Sequence, residues 1–297
     1  MKKLLFFVAV TGFAILTGNA LFAAQLKLRF VGSIYTDTDG VPLRTPAGVT
    51  IAGDKLLVAD SGGKRVLTYN FVNGVATPDK NIPLAKNFPI MVQQAQNGDF
   101  LVLDGLERQV LILGQNGKQK GTLKVKGADG RIVPRSLKSN PDGSLLLLDI
   151  FSARVLVVDE TGNLQRQLPF PKEYGAFSDT LMDAQKNVFL LDSVAGKIYR
   201  AAFDSDSFSL WSDGLKEFTN FPTSFASDGH GNLLLIDKYG SGLAIIGPDG
   251  KFSGRKLSMG WTDGQIYYPS QISISGEGQV FIADTENHRI QHFAIEE

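Results

Sequence analysis

The stretch at residues 268–293, YPSQISISGEGQVFIADTENHRIQHF, decides the fold of this chain. It contains a proline, a glycine-rich turn and a short apolar run, VFIAD, that ends at Asp284. Five earlier runs of the same kind, LLVAD, FLVLD, LLLLD, VFLLD and LLLID, end at Asp60, Asp104, Asp149, Asp192 and Asp237. Successive aspartates are 44, 45, 43, 45 and 47 residues apart. A fixed period of this length indicates a repeat architecture, here with six copies of one unit.

The six copies share a common template beyond the aspartate. A proline stands fourteen or fifteen positions before the aspartate in five copies, and Phe177 takes its place in the fourth. Short runs rich in Val, Ile, Leu and Phe alternate with Gly, Asn and Asp, which indicates strands joined by tight turns. In the third copy we expect strands at 135–139, 144–149, 154–158 and 164–168. Four antiparallel strands per copy predict an all-β, six-bladed β-propeller.

Closure of the ring is predicted from the two ends of the repeat region. The sixth copy stops after its third strand, near 289–295, whereas the strand-like stretch QLKLRFVGSI at 25–34 belongs to no copy. We expect this stretch to supply the fourth strand of the last blade, because a closed ring leaves fewer exposed sheet edges. The predicted organisation is a signal peptide at 1–24 and one propeller over 25–297.

The N-terminal pattern predicts export. Lys2 and Lys3 precede an apolar run and then small residues, as in a secretory signal peptide, with cleavage after Ala20, Ala23 or Ala24. The alternative is an uncleaved membrane anchor. After cleavage the protein would be periplasmic or secreted.

Composition excludes several kinds of chemistry. The chain has no cysteine, so disulfides, thiolate metal sites, c-type haem attachment and a cysteine nucleophile are excluded. Its formal net charge is zero, which does not favour a nucleic-acid partner. The lysines at 118, 120, 124 and 126 fall on a predicted outer strand, where lysine protects a sheet edge from pairing.

The sixth copy closely resembles the NHL repeat in its proline, its glycine turn, its run ending at Asp284 and the sequence NHRIQ at 287–291. The other copies resemble it more weakly, and together they cover 25–297. The Gly-His and Trp-Asp pairs of WD-type propellers do not recur at this period. Together with the N-terminal export pattern, the resemblance predicts a bacterial, exported propeller. Its six-bladed relatives include lactonases and lyases that use metal ligands at the central channel.

Few residues point to chemistry. An acid present in every copy is best interpreted as a turn cap, so the six repeated aspartates are expected to be structural. His230, His288 and His292 are too dispersed to share a zinc ion. Asp179 enters the first strand of the copy that lacks the proline, and it is the candidate ligand if calcium binds at the channel. No catalytic residue and no other cofactor is predicted.

The binding surface is predicted from the geometry of propellers. Turns after the second strand share one face with the connections between blades, and aromatic side chains beside polar groups suit peptide or sugar contacts. The predicted ligand-binding residues are Tyr35, Arg44, Arg135, Phe151, Tyr174, Asp179, Tyr239, Trp261, Tyr267 and Tyr268. The predicted function is a non-catalytic scaffold for a protein, a peptide or a glycan. The alternative is a metal-dependent hydrolase or lyase at the channel mouth.

Overall fold

A computed structural model describes residues 26–173 and 175–296. The predicted signal peptide lies outside these residues. The described chain forms six four-stranded antiparallel sheets, which are the six predicted blades. The strands of each blade are named a to d from the channel outwards. Each strand a contacts strand a of the next blade, and the sixth blade returns to the first, so the ring is closed.

The strands follow the repeat in register. The first, β1 (Lys27–Ile34), belongs to blade 6. Blade 1 contains β2 (Pro46–Ala52), β3 (Lys55–Asp60), β4 (Arg65–Val72) and β5 (Val75–Pro83). Blade 2 contains β6 (Pro89–Gln94), β7 (Phe100–Asp104), β8 (Gln109–Leu113) and β9 (Gln119–Thr122). Blade 3 contains β10 (Pro134–Ser139), β11 (Leu145–Asp149), β12 (Arg154–Val158) and β13 (Leu164–Pro169).

The second half continues the same pattern. Blade 4 contains β14 (Phe177–Met182), β15 (Val188–Asp192), β16 (Lys197–Ala201) and β17 (Ser209–Ser212). Blade 5 contains β18 (Pro222–Ser227), β19 (Leu233–Asp237), β20 (Gly242–Ile246) and β21 (Phe252–Lys256). Blade 6 contains β22 (Gln271–Ile274), β23 (Gln279–Asp284) and β24 (Arg289–Glu296), in addition to β1. Two single-turn 3₁₀ helices lie at Leu215–Glu217 and Thr285–Asn287. Within the described ranges no helix is long and apolar enough to cross a membrane.

The predicted closure is confirmed. Strand β1 pairs antiparallel with β24 from Lys27 opposite Glu296 to Ile34 opposite Ile290, with one bulge after Phe30. The N-terminal strand therefore completes the sheet that the C-terminal strands begin. The strands predicted for the third copy also match those observed to within one residue at each end.

The core lies between blades rather than within any one of them. Each apolar cluster takes residues from two neighbouring blades, as where Leu146 of blade 3 meets Leu190 of blade 4. A b strand is covered on both faces, so its side chains are buried in succession, as in β11. This explains why the b strands read as continuous apolar runs instead of alternating.

The repeated aspartates connect two kinds of loop on one face. All six are buried, and each carboxylate accepts a backbone N–H from the connection that precedes strand a, at 2.7 to 3.1 Å. The donors, in blade order, are the amides of Arg44, Phe88, Val133, Ala176, Phe221 and Tyr267. Each aspartate therefore fixes the b–c turn that follows it to the adjacent d–a connection.

Candidate functional site

The face formed by the b–c turns and the d–a connections, here called the loop face, carries a row of exposed apolar side chains. The second residue after the repeated aspartate is Leu106, Phe151, Val194 and Tyr239 in blades 2 to 5. Their side chains are 65, 62, 53 and 46% exposed. Gly62 and Glu286 hold the same position in blades 1 and 6. The four apolar residues, on four successive blades, are called the tip crescent.

The aspartates hold the backbone of this crescent in place. Asp104, Asp149 and Asp192 each accept a hydrogen bond from the amide of the tip residue two positions later, at 3.1, 3.2 and 3.0 Å. In blade 5 the amide of Gly240, next to Tyr239, donates to Asp237 at 3.3 Å. The tip side chains therefore project from fixed turns, which lowers the entropy that a bound partner would have to remove.

An aromatic strip extends the crescent across blades 5 and 6. The ring of Tyr239 stacks on Phe221 with centroids 5.1 Å apart, and it meets the edge of Tyr268 at 5.9 Å. Tyr268 in turn contacts Tyr267 at 4.9 Å, and Tyr267 contacts Trp261 at 5.8 Å. Trp261 is the most exposed of these rings, at 72%. The structure thus brings four of the predicted aromatic residues into one continuous row.

The other predicted residues are spread more widely over the loop face. The hydroxyl of Tyr35 lies 3.1 Å from Asp263 and 3.2 Å from a guanidinium nitrogen of Arg289, between blades 6 and 1. Arg44 and Arg135 are exposed. The guanidinium of Arg131 lies 5.7 Å from the ring centre of Phe151. Tyr174 lies outside the described residues.

Asp179 is not part of this face, which corrects its place in the predicted set. It is fully buried on strand a of blade 4, in the wall of the channel. One carboxylate oxygen accepts from Ser136 at 2.5 Å; the other accepts from Ser224 at 2.9 Å and lies 3.1 Å from the ammonium of Lys138. Asp179 therefore joins blades 3, 4 and 5 through short polar contacts.

The surroundings of Asp179 do not fit a calcium ion. Calcium requires six to eight oxygen ligands, but both oxygens of Asp179 are already engaged by hydroxyl and amide donors. The ammonium of Lys138 supplies the positive charge beside it and also donates to the carbonyl of Phe225 at 3.2 Å. No three His, Asp or Glu side chains in the described part of the chain converge as metal ligands.

The three histidines are separated, as the sequence predicted. His230 lies exposed in the a–b turn of blade 5. On the loop face, Nδ1 of His288 accepts a hydrogen bond from the backbone N–H of Thr45 at 3.1 Å. His292 is buried on β24, where its ring stacks on Phe281 at 4.5 Å. Burial lowers the pKa of His292 to about 4. The three side chains therefore have three different structural environments.

Sequence reasoning missed Leu106, Val194 and Phe221. Apart from Asp179, the predicted set consists of aromatic residues and arginines, so it contains no aliphatic tip residue. Aligning the six copies on the aspartate would have found two of them, because the second position after it is apolar in four successive copies. Phe221 lies sixteen residues before its aspartate, a position that is apolar or aromatic in five copies, but the sequence does not show that its ring stacks on Tyr239.

The opposite face carries apolar side chains in separate places. Val72 and Val75 are exposed in the c–d turn of blade 1, and Phe203 is exposed in that of blade 4. These turns lie on opposite sides of the ring. The contiguous row of aromatic rings from Tyr239 to Trp261 therefore lies on the loop face, where the tip crescent also lies.

Comparison with solved structures shows the same fold at low identity. A streptogramin B lyase matches with a TM-score of 0.63 and 11% identity over 91% of this chain and 98% of that one. Virginiamycin B lyase from Staphylococcus aureus gives 0.62 and 13% over 91% and 100%. A gluconolactonase from Xanthomonas campestris gives 0.66 and 14% over 90% and 91%. At these identities the likeness concerns the fold alone.

Sequence comparison identifies the repeat. No curated protein matches the chain. The family model described as NHL repeat matches residues 262–293, which include the second half of the d–a connection into blade 6, strands β22 and β23 and the first part of β24. The same strand pattern recurs in all six blades. The chain is therefore a six-bladed β-propeller of the NHL-repeat type.

Proposed function

We propose that this chain is a non-catalytic scaffold that works after export and docks a protein partner on its loop face. The observation that carries the proposal is the tip crescent, four exposed apolar side chains held outward on successive blades. Large apolar patches on a soluble surface mark interaction sites. The crescent spans four blades, so it suits the broad surface of a protein better than a small molecule.

The aromatic strip supports the same assignment. Tyr and Trp are enriched where interfaces derive most of their binding energy, because they combine large apolar area with a polar group. Here Trp261, Tyr267, Tyr268 and Tyr239 continue the crescent without a break. The N-terminal pattern of Lys2, Lys3 and the following apolar run supports export.

A photo-crosslinking experiment in cells tests the proposal. A photoreactive phenylalanine analogue is placed at Phe151 in the crescent or, as a matched control, at Phe203 on the opposite face; the two are 62 and 63% exposed. We expect a discrete protein adduct from position 151 and none from position 203. Adducts from 203 alone, or equal adducts from both, would overturn the assignment of the face. Metal-dependent turnover of a lactone by the purified chain would favour the enzyme alternative instead.

A further inference from the structure

The gap between blades 2 and 3 is less well filled than four of its counterparts. At four other junctions the d–a connection buries an apolar side chain in the core, namely Leu43, Leu84, Leu215 and Ile266. Between blades 3 and 4 the ring of Phe170 packs on Phe177 at 4.5 Å. The connection at 123–133 differs from those four, because its apolar side chains remain only half-buried, as the ring of Phe170 does: Leu123, Val125, Ala128 and Ile132.

A cavity of about 310 Å³ lies where such a side chain would pack. Its floor is apolar and includes Val110 of β8 and Leu147 of β11, both buried in the core. Its walls include the half-buried side chains of the connection. Arg108 of a b–c turn and Pro134 at the start of β10 also line it, so the cavity borders the loop face. Its volume is at the lower end of the range for small-molecule sites.

The charged groups around the cavity are positive. Arg108 and Lys124 line it, no Asp or Glu does, and neither cation forms an ion pair within the described ranges. Arg135, next to Pro134, also lacks an ion pair within those ranges. Surrounding protein atoms and then the charge of Arg108 lower the pKa of Arg135. These cations are therefore not neutralised by ion pairs with the protein's own carboxylates.

We propose that this blade 2–3 cavity binds a small organic anion, a carboxylate attached to a compact apolar group. The apolar group fills the gap above Val110 and Leu147, and Arg108 and Lys124 hold the carboxylate at the rim. An arginine can donate two parallel hydrogen bonds to a carboxylate, which fixes its orientation. The ligand is either a free acid or the C-terminal residue of a peptide, which present the same chemistry. The site does not depend on the tip crescent.

Calorimetric titration of the purified chain tests this proposal. The probes are octanoate, the neutral octanol, and a short peptide ending in leucine with either a free or an amidated C-terminus. We expect octanoate to bind saturably and octanol to bind about tenfold more weakly, because the charged contact is lost. Tighter binding of the free-acid peptide than of octanoate would identify the ligand as a peptide C-terminus. Tighter binding of octanoate would identify the ligand as a free acid. Equal binding of octanoate and octanol would overturn the proposal.

Three variants locate the site. Arg108→Gln removes a rim charge, and Lys64→Gln is its matched control at the same turn position of blade 1. Ala128→Phe fills the cavity. We expect octanoate affinity to fall about tenfold in Arg108→Gln, to vanish in Ala128→Phe and to stay unchanged in Lys64→Gln. The Arg108 site is exposed, so that variant should keep its melting temperature and remain informative if Ala128→Phe folds poorly. Unchanged affinity in Arg108→Gln would contradict the assignment.

Discussion

At the scale of single residues, blade 5 shows how one guanidinium replaces another. Arg65, Arg154 and Arg289 each bind the aspartate five positions earlier, at 2.7, 3.1 and 2.8 Å. Blade 5 has Gly242 at that position, and Arg255 from strand d binds Asp237 instead, at 2.8 Å. A Cβ atom at position 242 would lie 2.4 Å from a guanidinium nitrogen of Arg255. Arg255 can therefore reach Asp237 because position 242 is a glycine, which leaves room for its guanidinium group.

Substitution of this arginine should be rescued from the position that blades 1, 3 and 6 use. Arg255→Ala leaves the buried carboxylate of Asp237 without its charged partner, and we expect the free energy of unfolding to fall by about 2 kcal/mol. Adding Gly242→Arg should recover at least half of this loss, as measured by urea denaturation. Lys256→Ala, next to Arg255 on β21, is the control. Failure of Gly242→Arg to restore stability would show that the two positions are not equivalent.

His292 should make stability depend on pH. Its pKa is about 4 in the folded protein because of burial, compared with 6.5 for an ordinary histidine. The unfolded chain therefore binds a proton as pH falls through 6.5, whereas the folded chain resists protonation until about pH 4. This contribution is complete above pH 6.5 and is lost as pH falls towards 4. We expect about 3 kcal/mol of the stability lost between pH 7 and pH 4 to come from this residue.

The test compares His292→Gln with His230→Gln, which alters an exposed turn residue. Urea denaturation is measured at pH 7 and at pH 4. The free energy of unfolding should differ less between pH 7 and pH 4 in His292→Gln than in the unaltered protein. In His230→Gln this difference should be the same as in the unaltered protein. Equal differences in all three proteins would contradict the assignment to His292.

At the scale of elements, the N-terminal strand β1 closes the ring by completing the sheet of blade 6. Strand β1 covers the edge of β24 along its whole length, from residue 27 to residue 34. A chain that begins at Tyr35 would expose that edge, and exposed edges pair with other chains. We expect this truncated chain to lose its cooperative melting transition or to oligomerise in size-exclusion chromatography. A chain that begins at Leu26 is the control, and it should remain folded. A monomeric truncated chain with unchanged melting temperature would contradict this role for β1.

The elements could be predicted from the sequence because the repeat presents each of them six times. The apolar run ending in aspartate marks strand b, and the turn residues on either side delimit its neighbours. The position of β1 followed from counting strands, since the sixth copy lacks its last one. The contact between Lys138 and Asp179 could not be predicted from the sequence. The two residues lie on the inner strands of two neighbouring blades, and the repeat pattern does not show which side chains of such strands meet. The same holds for Arg255, which lies on a different strand from the position it replaces.

At the scale of the whole molecule, ring closure turns six similar turns into one surface. Every blade contributes one b–c turn to the loop face, and in blades 2 to 4 the repeated aspartate fixes the tip of that turn in the same way. What differs between blades is the side chain at the tip, apolar in blades 2 to 5 and glycine or glutamate in the other two. The binding surface is therefore a property of the assembled ring, and individual blades do not contain it.

The most direct test of this account is the affinity of the partner captured through position 151. The variant Leu106→Ser, Phe151→Ser, Val194→Ser keeps the backbone of the crescent but removes three of its apolar side chains. We expect its affinity for the captured protein to fall at least about a hundredfold, while Phe203→Ser on the opposite face binds as the unaltered chain does. Unchanged affinity in the triple variant, with the fold intact, would contradict the account.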